Sequence, residues 1–159
     1  MLNKTGIPTK DQVLSRFPDR KVLIKPKAIL ECYEDIPCNP CSTSCPFDAI
    51  EIGENINKQP QLHADLCTGC AVCVPSCPGL AIVIAQIKGD RAVFKIPYEF
   101  LPMPEKGQIW DGINRSGEII CDALIEQVAI SSKTDHTAVV TVSVPVDYLY
   151  DFVTVRVRL

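Results

Sequence analysis

Eight cysteines crowd between Cys32 and Cys77, whereas the last 80 residues hold only Cys121. Seven of the eight fall into two runs, Cys38-x2-Cys41-x3-Cys45-Pro46 and Cys67-x2-Cys70-x2-Cys73-x3-Cys77-Pro78. Thiolates at this spacing are ligands for soft metals and for iron–sulfur clusters. Disulfides are the weaker reading. Nine is an odd number of cysteines, Met1–Gln12 lacks the apolar stretch of a secretory signal, and reducing compartments disfavour disulfides. The expectation is a cytoplasmic protein. Structural zinc also uses C-x2-C pairs, but zinc sites favour two separated pairs over a tandem run of this length.

The two runs are copies. Cys38, Cys41, Cys45, Pro46, Ala49, Ile50 and Ile52 recur 32 residues later as Cys70, Cys73, Cys77, Pro78, Ala81, Ile82 and Ile84. A duplicated unit with matched ligands implies two pseudo-symmetric sites. The first copy departs from the second at one point, because Asp35 stands where Cys67 stands in the other. Either Cys32, three residues earlier, completes that site through a longer loop, or Asp35 does so through oxygen, or the cluster lacks an iron. Ligand softness favours Cys32.

The run from Cys67 to Pro78 is the full C-x2-C-x2-C-x3-C-P pattern, and residues 29–84 resemble the bacterial two-[4Fe–4S] ferredoxin family. The resemblance implies two [4Fe–4S] clusters with the fourth cysteines exchanged. One would use Cys67, Cys70, Cys73 and Cys45, and the other Cys38, Cys41, Cys77 and Cys32. It also implies an α+β fold, with two short helices after the Cys-Pro turns and a small antiparallel sheet pairing the segment before Cys32 with Ala81–Ile84. Ile50, Ile52, Ile82 and Ile84 would shield the clusters, and loop N–H groups would bond the sulfurs.

The elements around this domain read as follows. Residues 1–26 form an N-terminal arm, in which Thr9-Lys10-Asp11 starts a short helix that Pro18 ends. Residues 27–86 form the cluster domain. Residues 87–159 form a small C-terminal antiparallel β-barrel or sandwich of about five strands, a module for docking. Ala92, Phe94 and Ile96 alternate with other residues, as do Ala138, Val140, Val142 and Val144, and then Val153, Val155, Val157 and Leu159. Residues 120–130 fit a helix face as well as a strand, through Ile120, Cys121, Leu124, Ile125 and Val128. Asp111-Gly112 and Asn114–Gly117 supply turn chemistry.

Several function classes lose support. A net charge of -3, without a dense basic block, argues against nucleic acid as a partner. The longest aliphatic run, Leu80–Ala85, is far short of the roughly 20 residues a membrane span needs. There is no G-x-G-x-x-G fingerprint, no Walker loop and no nucleophile–base constellation, so no catalytic site is evident. Cys121 reads as a small buried hydrophobe. His63 and His136 read as ordinary surface histidines, and Trp110 as a core or subunit-contact anchor.

The segment Glu31–Cys41, with the β extension, also resembles ferredoxin-type subunits of FAD-dependent dehydrogenases. That likeness implies an electron-transfer subunit of a multi-subunit oxidoreductase. FAD would lie on a partner subunit rather than on this chain, and an external electron carrier is a further possible partner. A free-standing ferredoxin shuttle is the alternative, compatible with the acidic residues Glu31, Glu34, Asp35, Asp48, Glu51 and Glu54 near the first motif.

Overall fold

A computed structural model describes residues 2, 4–130 and 137–158. His136 and Leu159, both singled out above, lie outside these residues. Among those described, antiparallel sheet predominates and helices are few and short.

Strands β1 (Lys27–Leu30) and β4 (Ile82–Lys88) pair antiparallel, with Leu30 opposite Ile82 and Ala28 opposite Ile84. Side chains alternate across a strand, and here both faces are covered. Ala28, Leu30, Ile82 and Ile84 join the core beneath the cysteine loops, whereas Ile29 and Ala85 join a larger core on the other side. The pair is therefore a wall shared by two cores, which is why Leu80–Ala85 reads as an unbroken apolar run. The junction expected at 86/87 falls inside β4, which hydrogen-bonds β1 on one side and β5 (Arg91–Tyr98) on the other.

The sheet continues through β6 (Ile109–Asn114), β7 (Ile119–Ile130), β8 (Ala138–Pro145) and β9 (Phe152–Arg156), in the spatial order β1-β4-β5-β8-β7-β6-β9. One face of β5 and β8 supplies Ala92, Phe94, Ile96, Val140, Val142 and Val144 to the larger core. Four strand spacings of roughly 4.8 Å would put β5 and β9 about 19 Å apart in a flat sheet. Yet the rings of Phe94 and Phe152 lie 4.9 Å apart, so the sheet curls over its own core. Trp110 is buried there, edge-on to Tyr98, with its Nε1–H donating to Gln108 Oε1 at 3.0 Å.

Helix α1 (Lys10–Arg16) opens with a capping box. Gln12 N–H donates to Thr9 Oγ1 while Thr9 N–H donates to Gln12 Oε1, and Val13 is the buried anchor. Helices α2 (Pro40–Ser44) and α3 (Cys73–Ser76) pack against each other. They precede the two Cys-Pro turns rather than follow them, contrary to the expectation above. The reason is local: a residue before proline is driven out of the helical region. Cys45 (ψ 115°) and Cys77 (ψ 114°) are accordingly extended and end the helices. A two-stranded ladder of β2 (Ile50–Glu51) and β3 (Gln61–Leu62) completes the smaller core, with Ile50 opposite Leu62. This pair is the 32-residue image of the Leu30–Ile82 pair.

Candidate iron–sulfur centre

The two Cys-Pro turns have the same build. Asp48 (φ 52°) and Leu80 (φ 54°) both adopt the left-handed region. That reversal lets the next amide point back at the cysteine. Ala49 N–H donates to Cys45 Sγ and Ala81 N–H to Cys77 Sγ, each at 3.4 Å. Ala28 N–H donates to Cys67 Sγ at 3.3 Å from the shared wall. In the Cys67–Cys70 loop, Gly69 has φ +73°, and a Cβ there would lie 2.5 Å from Pro26, so only glycine fits.

The thiols sort into two sets. Cys45, Cys67, Cys70 and Cys73 line one apolar pocket walled by Ala28, Ala49, Ile50 and Ile84. Burial, and then the neighbouring Cys67, Cys70 and Cys45, push the Cys73 thiol up to about 12. In the other set, Cys41 feels Cys77, Cys38 and Cys32, and Cys32 feels Cys77 and Cys38; burial is the main cause that raises both. Each set thus combines one copy's cysteines with the last cysteine of the other copy. Among the described residues, no three His, Cys, Asp or Glu side chains are disposed around a single metal ion. Cys45, Cys67, Cys70 and Cys73 instead line a shared apolar cavity. That donor set fits an iron–sulfur cluster, whose several irons each take one thiolate and whose positive charge offsets the mutual repulsion of buried thiolates.

Asp35 faces elsewhere. It accepts from Gln59 Nε2 at 3.2 Å, and the Cys32 thiol lies 3.9 Å from Glu34 O. His63 pairs with Glu51 at 2.7 Å on the exposed side of the β2–β3 ladder, while its carbonyl accepts from Cys67 N–H at 3.2 Å. Cys121 sits apart on β7, against Gly112 and the larger core, with burial raising its thiol.

Three cationic residues that the sequence did not suggest surround the cysteine loops. Lys27 is 8% exposed, and its Nζ donates to the carbonyls of Ala64 and Cys67, both at 2.6 Å. Arg16, the last residue of α1, donates to Pro60 O and Cys32 O, both at 2.8 Å, and to Gln59 Oε1. Arg115, from the β6–β7 turn, pairs with Glu31 beside Cys32. The only sequence trace of these contacts is that Lys27 and Gln59 are 32 residues apart.

Comparison with known proteins supports an iron–sulfur electron-transfer domain. Residues 36–81 match the 4Fe-4S dicluster domain, a stretch that includes seven of the eight clustered cysteines but not Cys32. The ferredoxin-type protein NapF of Escherichia coli (strain K12) is 40% identical over 52 residues, 31% of this chain and 32% of that protein. NapF of Haemophilus influenzae is 36% identical over 58 residues, 35% of this chain and 33% of that protein. The chain spans about a third of the length of these curated relatives. No solved structure matches it. The chain therefore carries a 4Fe–4S ferredoxin domain. Among the described residues, no helix is long and apolar enough to cross a membrane.

Proposed function

We propose that this chain is the electron-transfer subunit of a multi-subunit oxidoreductase, with two [4Fe–4S] sites that relay single electrons between a partner's flavin and an external carrier. Cys45, Cys67, Cys70 and Cys73 would hold one cluster, and Cys32, Cys38, Cys41 and Cys77 the other. When bound, such clusters supply one-electron chemistry. The observation that carries the reading is the exchange of Cys45 and Cys77 between the sets from two helices packed together. The protein's own part is to back the cysteine loops with Ile50, Ile82 and Ile84, each at most 5% exposed, while Cys70 stays exposed. The Ala28, Ala49 and Ala81 amides would also help to fix potential by bonding the sulfurs.

A docked role is favoured by the sheet itself. Strands β5–β9 lie outside the family match and share a wall with the cluster domain. They bring exposed apolar side chains, among them Phe100, Leu101, Ile109 and Ile130, of a kind that interfaces cover. The test is anaerobic purification of the native protein, with flavin measured in any stoichiometric partner. A flavoprotein complex is the expected result. A lone, cluster-loaded monomer would contradict the subunit reading and leave a free-standing carrier.

A further inference from the structure

The duplication extends beyond the cysteines to the groups that anchor each ligand loop. The β1–β4 and β3–β2 ladders are images of each other at an offset of 32, since Leu30–Ile82 corresponds to Leu62–Ile50. On that offset Lys27 corresponds to Gln59, Ala64 to Cys32, and Cys67 to Asp35. Lys27 Nζ binds the carbonyls of Ala64 and Cys67. At the other site, Gln59 Nε2 binds Tyr33 O at 2.8 Å and Asp35 Oδ1, but glutamine brings no charge. The charge arrives from elsewhere. Arg16 binds Cys32 O, the counterpart of Ala64 O, and also binds Gln59. Its guanidinium stacks 5.5 Å from the Tyr33 ring. Arg16 and Gln59 together therefore stand where Lys27 stands at the site of Cys67, with Arg16 holding Cys32 O and Gln59 holding Tyr33 O and the Asp35 side chain.

We propose that Lys27 and Arg16 are matched cations, one built into each cysteine site, that position its ligand loop and set its reduction potential. The inference rests on the two-cluster reading above. A cluster with four thiolates is anionic and becomes more so on reduction, so a fixed nearby cation stabilises the reduced form. Burial limits solvent screening of that effect. The sites are not equal. Lys27 is buried and, among the described residues, has no carboxylate partner in an ion pair. Arg16 is only half-buried and shares its surroundings with Asp35, which Gln59 binds. Ala28 N–H also bonds Cys67 Sγ, whereas the corresponding residue, Pro60, has no N–H to give. The site of Cys67 is therefore the one of higher potential, where a single electron rests.

The test is a potentiometric EPR titration of the anaerobically loaded full chain, with iron and sulfide counted for every sample. Lys27→Met should lower the higher of the two midpoints by about tenfold in the reduction equilibrium, about 59 mV for one electron. Arg16→Met should lower the other midpoint and leave the first in place. Lys27→Arg and Arg16→Lys, which keep the charge, should restore most of each shift. If a Met variant loses its cluster, Lys27→Gln, which copies Gln59, and Arg16→Gln give the same reading. Two clusters whose midpoints stay put in all charge-removing variants would overturn the inference while leaving the two-cluster reading intact. So would both substitutions moving the same midpoint. Wild-type protein without inorganic sulfide would instead overturn the two-cluster reading itself.

Discussion

Arg115 and Glu31 form a charge pair between the β6–β7 turn and the residue before Cys32, with both side chains only 13% exposed. Arg115 Nη1 also donates to Tyr150 O, and Tyr33 Oη donates to Glu31 Oε1 at 3.2 Å. The C-terminal sheet is thus tied to the first cysteine loop by a contact spanning 84 residues of sequence. Removing one partner of a buried pair costs about 3 kcal/mol. Arg115→Met should lower stability by about that amount in denaturant titration. Adding Glu31→Gln should recover part of it, because the stranded charge is gone. A double variant as unstable as the sum of both singles would mean the two side chains act independently.

The odd position in the first site has a direct readout. Cys32→Ser should cost one cluster, about half of the iron per chain, whereas Asp35→Ala should retain both, because the Asp35 carboxylate is occupied by Gln59. The reverse pattern would make Asp35 the ligand.

The cysteine run was legible because its information is local. Spacing alone places three thiols on one loop. The helices beside it were misplaced, because the family resemblance set them after the Cys-Pro turns, whereas the residue before each proline ends them. Arg16, Lys27 and Arg115 were not legible, because their partners lie 16 to 84 residues away and one lysine looks like another in sequence. The ambiguity at 120–130 also has a physical source. The register of β7 against β8 shifts between Ile125 and Gln127, so Leu124, Ile125 and Val128 break the two-residue alternation and mimic helical spacing. The shared wall was hidden by the opposite problem. Cysteine content drops at the end of the ferredoxin-like segment, and the apolar run across Leu80–Ala85 gave no sign of which cores it served.

Cluster loading should depend on pH in a defined direction. Burial raises Cys32 and Cys41 and takes Cys73 to about 12, so ligation must displace protons that these thiols hold firmly. Lower pH opposes that displacement by up to about tenfold in apparent affinity per pH unit for each proton released. Iron retained against a fixed chelator concentration should fall steadily from pH 9 to pH 6. Retention that rises as pH falls would contradict thiolate ligation.

Gly69→Ala should be far worse than its size suggests. The left-handed conformation costs a side chain about 1–2 kcal/mol, and the overlap with Pro26 adds overpacking of about 1–3 kcal/mol. Iron content should drop at the site of Cys67, Cys70, Cys73 and Cys45 while the other is retained. A fully loaded Gly69→Ala protein would show that the loop can move away from Pro26.

The most direct measurement is the iron, inorganic sulfide and EPR spectrum of the oxygen-protected wild-type chain, fully reduced. Roughly eight irons and eight sulfides per chain, with signals split by coupling between two reduced clusters, are the expected result. Zinc in place of iron, or an uncoupled spectrum from a single cluster, would contradict two adjacent sites that share their cysteines.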